Sequence, residues 1–225
     1  MRLLYAALFC VTSLLVCGCA TVVRTMPPKD LTAAHQLTVF TDGFHSGIVV
    51  DKSSLPEVLD PQTGDEPASW PQQTLHFGEV KWTSGADNSM WHAIGLGIVP
   101  GEGVVQSDHT RKGLVDVPGL DFGKMRMWNF PVNQAGIDAL VLDLKTNWMS
   151  GLVMPREPGT PSTLYPSPRR WSLYHNCHDF TIDMLRSAGL DLYTRWLYLA
   201  GGLTADLDEA QREMAKAGIT VIGRQ

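Results

Sequence analysis

The stretch "SLYHNCHDFTIDMLRSAGL", residues 172–190, decides how this chain is read. Asn176 is a favoured helix N-cap, and Asp179, three positions later, puts an acid where a helix start favours one. Cys177 then takes the first helical position. From it Phe180, Thr181, Met184, Leu185 and Ala188 recur at helical spacing on one face, and Gly189 supplies a left-handed stop. The spacing predicts a helix that turns its thiol inward, against a sheet. Unpaired amides at that helix start favour thiolate over thiol and offer donors to a developing oxyanion. The alternative is a thiol that only fills core.

Upstream, the pattern is that of strands. "QLTVFTD" and "HSGIVVD" alternate and are rich in β-branched residues around the turn "TDGF". "TLHFGEVKW", "GVVQSDHT" and "KMRMWNFPV" read as further strands, and "NSMWHAIGLGIV" as a short helix closed by its glycines. Residues 52–73, rich in Pro, Asp, Ser and Gln, read as an irregular excursion. From Asn133, a fitting N-cap, the period changes: Ile137, Leu140, Val141, Leu144 and Trp148 fall at helical spacing as far as Gly151. "MPREPGTPSTLYPSPRR" reads as a Pro-rich loop, and a last helix begins near Thr204 and stops at Gly218. The class is α+β, with an antiparallel sheet packed against helices.

At 225 residues the chain suits one folded domain, and a formal charge of −5 without a basic cluster excludes nucleic acid as a partner. The first twenty residues, "MRLLYAALFCVTSLLVCGCA", place Arg2 before an apolar run from Leu3 to Val16 that is short for a membrane span. The ending "VCGC" resembles a bacterial lipoprotein signal. That resemblance implies removal of residues 1–18, lipid on Cys19 and, with Ala20 next, an outer-membrane anchor facing the periplasm. Residues 19–35, with their Pro-Pro step, then form a tether, and 36–225 a single domain. Cys10 and Cys17 leave with the signal, so Cys177 is the only free thiol of the mature domain. Exported proteins usually pair their cysteines. This one is inert core or is kept for chemistry.

A nucleophilic thiol needs a base, and neutral histidine is the usual one. His175 precedes the cap, and His178 lies about 100° around the helix from Cys177, so either can face solvent. His45 opens a strand; alternation puts His45, Gly47 and Val49 on one face and Ser46, Ile48 and Val50 on the other. Gly47 leaves room for a substrate or a close backbone.

"HSGIVV", followed 132 positions after His45 by "NCHDFTIDMLRSAGL", resembles the circularly permuted form of the NlpC-type papain-like superfamily. Within it, the chain is similar to an uncharacterised family of bacterial exported proteins and lipoproteins. That likeness rests also on "LHFGEVKW", "LYPSPRRWSLYHNC" and the ending Leu185 to Leu190. The resemblance implies a permuted papain-like arrangement, Cys177 as nucleophile, His45 as base, and a third polar group on the following strand that orients the imidazole. Glu79 leads there, with His76 close behind and His109 third. Asn176 and His178 stand at the helix cap beside the oxyanion position. Where the family has Cys-Asn-x-Trp, this chain has Cys177-His178-Asp179-Phe180, and the Gly-Trp-Gly-Asp run is missing.

Three functions follow as expectations. The first is a periplasmic cysteine hydrolase acting on an amide or ester, with the murein stem peptide foremost. A lipid thioesterase or acyltransferase using the same dyad is its runner-up, with Phe44, Trp82, Trp91, Leu164, Tyr165, Trp171 and Tyr174 as apolar lining. The second is a non-catalytic envelope lipoprotein used for binding or scaffolding. The third, a metal site of Cys177, His178 and His45 or His175, lacks any His-x-x-x-His or Cys-x-x-Cys spacing. No cofactor is expected.

Overall fold

The computed structural model describes residues 35–51, 72–87, 89–96, 99–110, 125–150, 154, 162–190, 192 and 200–216. The expectations for the signal, Cys19 and most of the tether lie outside these residues. Strands β1 (His35–Thr41) and β2 (Ser46–Asp51) form where the alternation places them, one residue earlier than Gln36 for the first. They pair antiparallel from Leu37 opposite Val50 to Thr41 opposite Ser46. Strand β3 (Gln72–Glu79) begins within the stretch read as irregular and ends sooner than "TLHFGEVKW" suggests. Val80–Thr83 turn instead into a one-turn helix, α1, because the Glu79 carboxylate caps it by accepting from Trp82 N at 2.8 Å.

Helix α2 (Met90–Leu96) leads to β4 (Gly101–Thr110), and β5 (Arg126–Val132) leads to α3 (Gln134–Asp143). Asn133 caps α3, its Oδ1 accepting from Gly136 N at 2.8 Å. The last turn, Leu144–Trp148, widens to a π turn closed by Met149 N donating to Leu144 O at 2.9 Å. The Pro-rich segment read as a loop is, over Ser162–Trp171, a ten-residue strand, β6. Its prolines are tolerated because β6 is an edge. The sheet order is β5-β1-β2-β3-β4-β6, all neighbours antiparallel, and a strand with one free side can lack an N–H there. Pro131 sits on the other edge, β5. Helix α4 (Cys177–Ser187) follows β6, and α5 (Ala200–Lys216) starts four residues before Thr204.

The fold is thus α+β, a six-stranded antiparallel sheet with its helices. One continuous core forms between the sheet face of Leu37, Val39, Ile48, Val50, Leu75 and Phe77 and the inward stripes of α3, α4 and α5. Beneath the start of α4, Phe77, Trp148 and Phe180 make an aromatic triangle. Phe77–Trp148 and Trp148–Phe180 are edge-to-face at 5.0 and 4.9 Å. Arg169 of β6 covers Trp148 at 4.1 Å and binds Asp183 of α4 at 3.0 Å, fixing the helix to the sheet edge. The opposite sheet face carries a smaller cluster of Phe40 and Val49 with Met125 and Met127.

Candidate active site

The site is built at the sheet end marked by Thr41, Ser46, Glu79, Gly101 and Trp171. The β1–β2 turn, Asp42-Gly43-Phe44-His45, needs a left-handed residue, and Gly43 provides it at φ 93°. Asp42 organises this turn. Its buried Oδ1 accepts from Phe44 N at 2.8 Å and His45 N at 2.6 Å, and its Oδ2 faces His45 Nδ1 at 3.2 Å. The imidazole therefore donates Nδ1–H to Asp42, which leaves Nε2 as the free lone pair.

Helix α4 starts at Cys177, with the cap the sequence called for. Asn176 accepts from His178 N at 2.8 Å, and Asp179 accepts from Asn176 N at 3.2 Å, a complete capping box. At the other end Gly189 is left-handed at φ 88°, and Leu190 N closes onto Leu185 O at 2.9 Å. Cys177, 8 % exposed, lies with its sulfur 3.8 Å from Phe44 O and 3.8 Å from His178 Nδ1. So the thiol meets the backbone of the turn that carries His45. The His45 ring itself bonds Asp42 and makes no hydrogen bond to the sulfur.

Burial pushes the Cys177 thiol above its ordinary value, although the backbone amides of Ser46 and Cys177 favour the thiolate; Asp42 adds to the rise. The helix start alone therefore leaves the resting thiol protonated.

His178 is buried rather than solvent-facing. Its Nδ1 lies 2.8 Å from Ser46 Oγ, and Ser46 Oγ lies 3.0 Å from Thr181 Oγ1. Hydrogen counting assigns the tautomer. Thr181 spends its one hydroxyl hydrogen on Cys177 O at 2.8 Å, because a carbonyl has none to give. Ser46 must then donate to Thr181, and His178 must donate Nδ1–H to Ser46. Burial, aided by the nearby His45, pushes the His178 imidazole down to about 4, with Asp42 opposing. His178 is a neutral ring whose Nδ1–H is given to Ser46, so Nδ1, 3.8 Å from the sulfur, has no lone pair to serve as base for the thiol.

The other sequence candidates lie elsewhere. Glu79 is buried and accepts from His92 Nε2 at 2.8 Å, and the structure ties it to α1 and α2 rather than to His45. Despite the cost of burial, the His92 and Trp82 hydrogen bonds bring the Glu79 carboxyl below its usual range. His76 meets Asp108 at 3.3 Å on the opposite sheet face. That buried Asp108 also accepts from Gln106 at 3.0 Å. The His109 side chain lies outside the described residues. His175 is exposed, 3.8 Å from Asp179. Gly47 is needed for packing, since a Cβ there would sit 2.5 Å from Leu75 O and 2.8 Å from Phe40. Of the expected apolar lining, Tyr165 is buried in the core while Phe44, Trp82, Trp91 and Tyr174 are exposed. A cavity of about 310 Å³ along the β6 edge, lined by Glu102, Pro166, Arg169 and Arg170 among others, does not include Cys177, His45 or His178.

The orienting residue that sequence reading missed is Asp42. Its signal was local: an Asp-Gly turn with histidine three positions after the acid is the pattern in which an Asp side chain caps following amides. Ser46 and Thr181 were likewise legible only once β2 and α4 face each other. Among the described residues no group of three His, Cys, Asp or Glu side chains is placed to hold a metal ion. Comparison of the chain with protein families, with curated proteins and with solved structures returns no match.

Proposed function

We propose that this protein is a cysteine-dependent hydrolase of the bacterial envelope, anchored by lipid on Cys19, with a permuted NlpC-type papain-like arrangement. The observation that carries the reading is the meeting of Cys177 with the Asp42–His45 turn, sulfur to Phe44 O at 3.8 Å. Asp42 holds His45 with Nε2 free. Because the thiol rests protonated, His45 acts as general base when substrate arrives rather than as half of a standing ion pair. Sγ attacks the acyl carbon and its proton passes to His45 Nε2. The proton leaves with the amine or alcohol, and water cleaves the thioester. The Cys177 N–H, first amide of α4, is the oxyanion donor, and neutral His178, its Nδ1–H given to Ser46, does not compete with His45 as base.

The murein stem peptide is the first substrate class. The same dyad acting on lipid acyl esters is the second reading, favoured by the exposed Phe44, whose carbonyl meets the thiol, and the exposed Leu173 and Tyr174, four and three residues before it. Turnover of a murein stem-peptide amide and of a long-chain acyl thioester, side by side, tests both. The expected outcome is cleavage of one, abolished in Cys177→Ala and about 100-fold or more slower in His45→Ala. Turnover that survives Cys177→Ala ends the thiol reading. Cleavage of neither leaves a binding or scaffolding lipoprotein.

A further inference from the structure

The described large apolar side chains left in solvent are not scattered. Phe44, Trp82, Trp91, Ile94, Val99, Leu173 and Tyr174 are exposed, and each lies in a segment that leaves a strand at the Cys177 end, with α2 tied there by the His92–Glu79 bond. Phe44 sits in the turn between Thr41 and Ser46. Trp82, Trp91, Ile94 and Val99 fall between Glu79 and Gly101, the adjoining ends of β3 and β4. Leu173 and Tyr174 follow Trp171, opposite Gly101. Trp91 is 82 % exposed and Phe44 85 %, so these rings are spread outward rather than folded onto the domain. The other end is polar where its side chains are described: His35, Asp51, Gln72 and Ser162 close it, and Val132, opposite His35, is buried. Leu142, on α3, is the one remaining large exposed apolar side chain among the described residues.

Several exposed aromatic and aliphatic side chains gathered on one end mark a contact surface. We propose that this end docks onto a lipid bilayer, with the mouth of the Cys177 site held at the membrane interface. Two tryptophans, a tyrosine and a phenylalanine with aliphatic neighbours are the side chains that settle at the headgroup level, where an apolar ring and a polar edge are both satisfied. The exposed cations Lys81, Arg126 and Arg170 are matched in number by Asp87, Glu102 and Asp208, so attraction comes from apolar area rather than from anionic lipid. The chain outside the described residues allows it. β1 begins at His35 on the opposite end, and the 16 residues from Cys19 to His35 reach about 50 Å when extended. A ten-residue strand such as β4 spans about 33 Å. An anchor at Cys19 therefore lets the apolar end turn onto the membrane that holds it. The docking rests on the proposed Cys19 anchor and not on the catalytic reading.

The test uses the full chain reconstituted into phosphatidylethanolamine–phosphatidylglycerol vesicles whose acyl chains carry bromine, a quencher of tryptophan in the bilayer. The expected result is loss of tryptophan fluorescence relative to unbrominated vesicles, unchanged by added salt. In an Ile94→Asp/Val99→Asp double variant, which keeps both reporter tryptophans, that loss should largely disappear. Leu142→Asp should keep it. Equal quenching in both variants, or none in the wild type, overturns the proposal. So does a concentration-dependent dimer in detergent that shields tryptophan from iodide, which would assign the face to a second copy. Circular dichroism of the double variant confirms that the fold stands, as exposed positions lead one to expect.

Discussion

Two histidines stand at Cys177 in opposite surroundings, and both carry their proton on Nδ1. His45 is half exposed on the β1–β2 turn and gives that proton to a buried carboxylate, Asp42. His178 is buried on the first turn of α4 and gives it to a hydroxyl, Ser46, whose own hydrogen is taken by Thr181. A carboxylate stabilises an imidazolium as it forms; a buried hydroxyl chain does not. The carboxylate partner suits His45 to the base role proposed for it and the hydroxyl partner keeps His178 neutral, so the partner atom, not proximity in sequence, separates the two.

The comparison breaks most completely if the support under α4 is removed. Phe180 packs on Trp148 at 4.9 Å and beside Phe77, in the first turn of the helix that carries Cys177 and His178. Phe180→Ala is expected to cost about 3–5 kcal/mol of unfolding free energy by denaturant titration, because the hole cannot be refilled by two neighbouring rings. A loss under 1 kcal/mol would show that the triangle is not what seats the helix.

Next in size is the pH dependence that neutral His178 imposes. Its folded value of about 4 lies below the ordinary 6.5, so the unfolded chain takes up the proton first. Stability is full above pH 6.5, falls as pH drops towards 4, and changes no further on this account below 4. The loss is on the order of 3 kcal/mol. His178→Gln keeps a donor for Ser46 but does not titrate, so its stability profile should lack that increment. Parallel profiles for the two proteins across this window would place the imidazolium comfortably in the folded state and remove the contrast with His45.

These two regions were not equally legible in the sequence. The α4 start was, because a capping box is local: Asn176 and Asp179 satisfy each other within four residues wherever the helix lies. The burial of His178 was not. Counting from Cys177, the ring falls about 100° off the thiol, a position that leaves it free to face water. Yet it shares a stripe with Thr181 and Leu185, and α4 crosses β2 broadly enough to bury both stripes. Strand β6 was hidden for a similar reason. Prolines at 166 and 168 argue against a strand unless it is known to be an edge, which only the sheet order tells. Glu79 looked available as the orienter because His92, its actual partner, belongs to a separate helix whose docking no spacing rule foretells.

Asp42→Asn sharpens the His45 side. The amide oxygen still accepts from Phe44 N and His45 N, so the turn holds. What goes is the charge facing Nδ1. If the Cys177 reading is right, turnover should fall about 100-fold while Tm moves by only a few degrees. Glu79→Gln, away from His45, should leave turnover near wild type and instead loosen α1 and α2. Equal losses in the two variants would mean that Asp42 acts through the fold and not through the imidazole.

The smallest effect probes the hydrogen count on which the contrast rests. Thr181→Val keeps the shape of the side chain but removes the hydroxyl that takes the Ser46 hydrogen, at a cost of about 1 kcal/mol. Ser46 is then free to donate to His178 Nδ1 across the same 2.8 Å, which moves the ring proton to Nε2. A long-range proton–nitrogen correlation spectrum reads this directly. The His178 Nδ1 resonance should be that of a protonated nitrogen in the wild type and of a bare one in Thr181→Val. The Nδ1 lone pair, taken by the Ser46 hydroxyl, is then not free for proton exchange with Cys177 Sγ 3.8 Å off, and the ring stays neutral. If the spectrum does not change between the two proteins, the hydroxyl chain does not set the tautomer. The difference between the two histidines would then rest on Asp42 and burial alone.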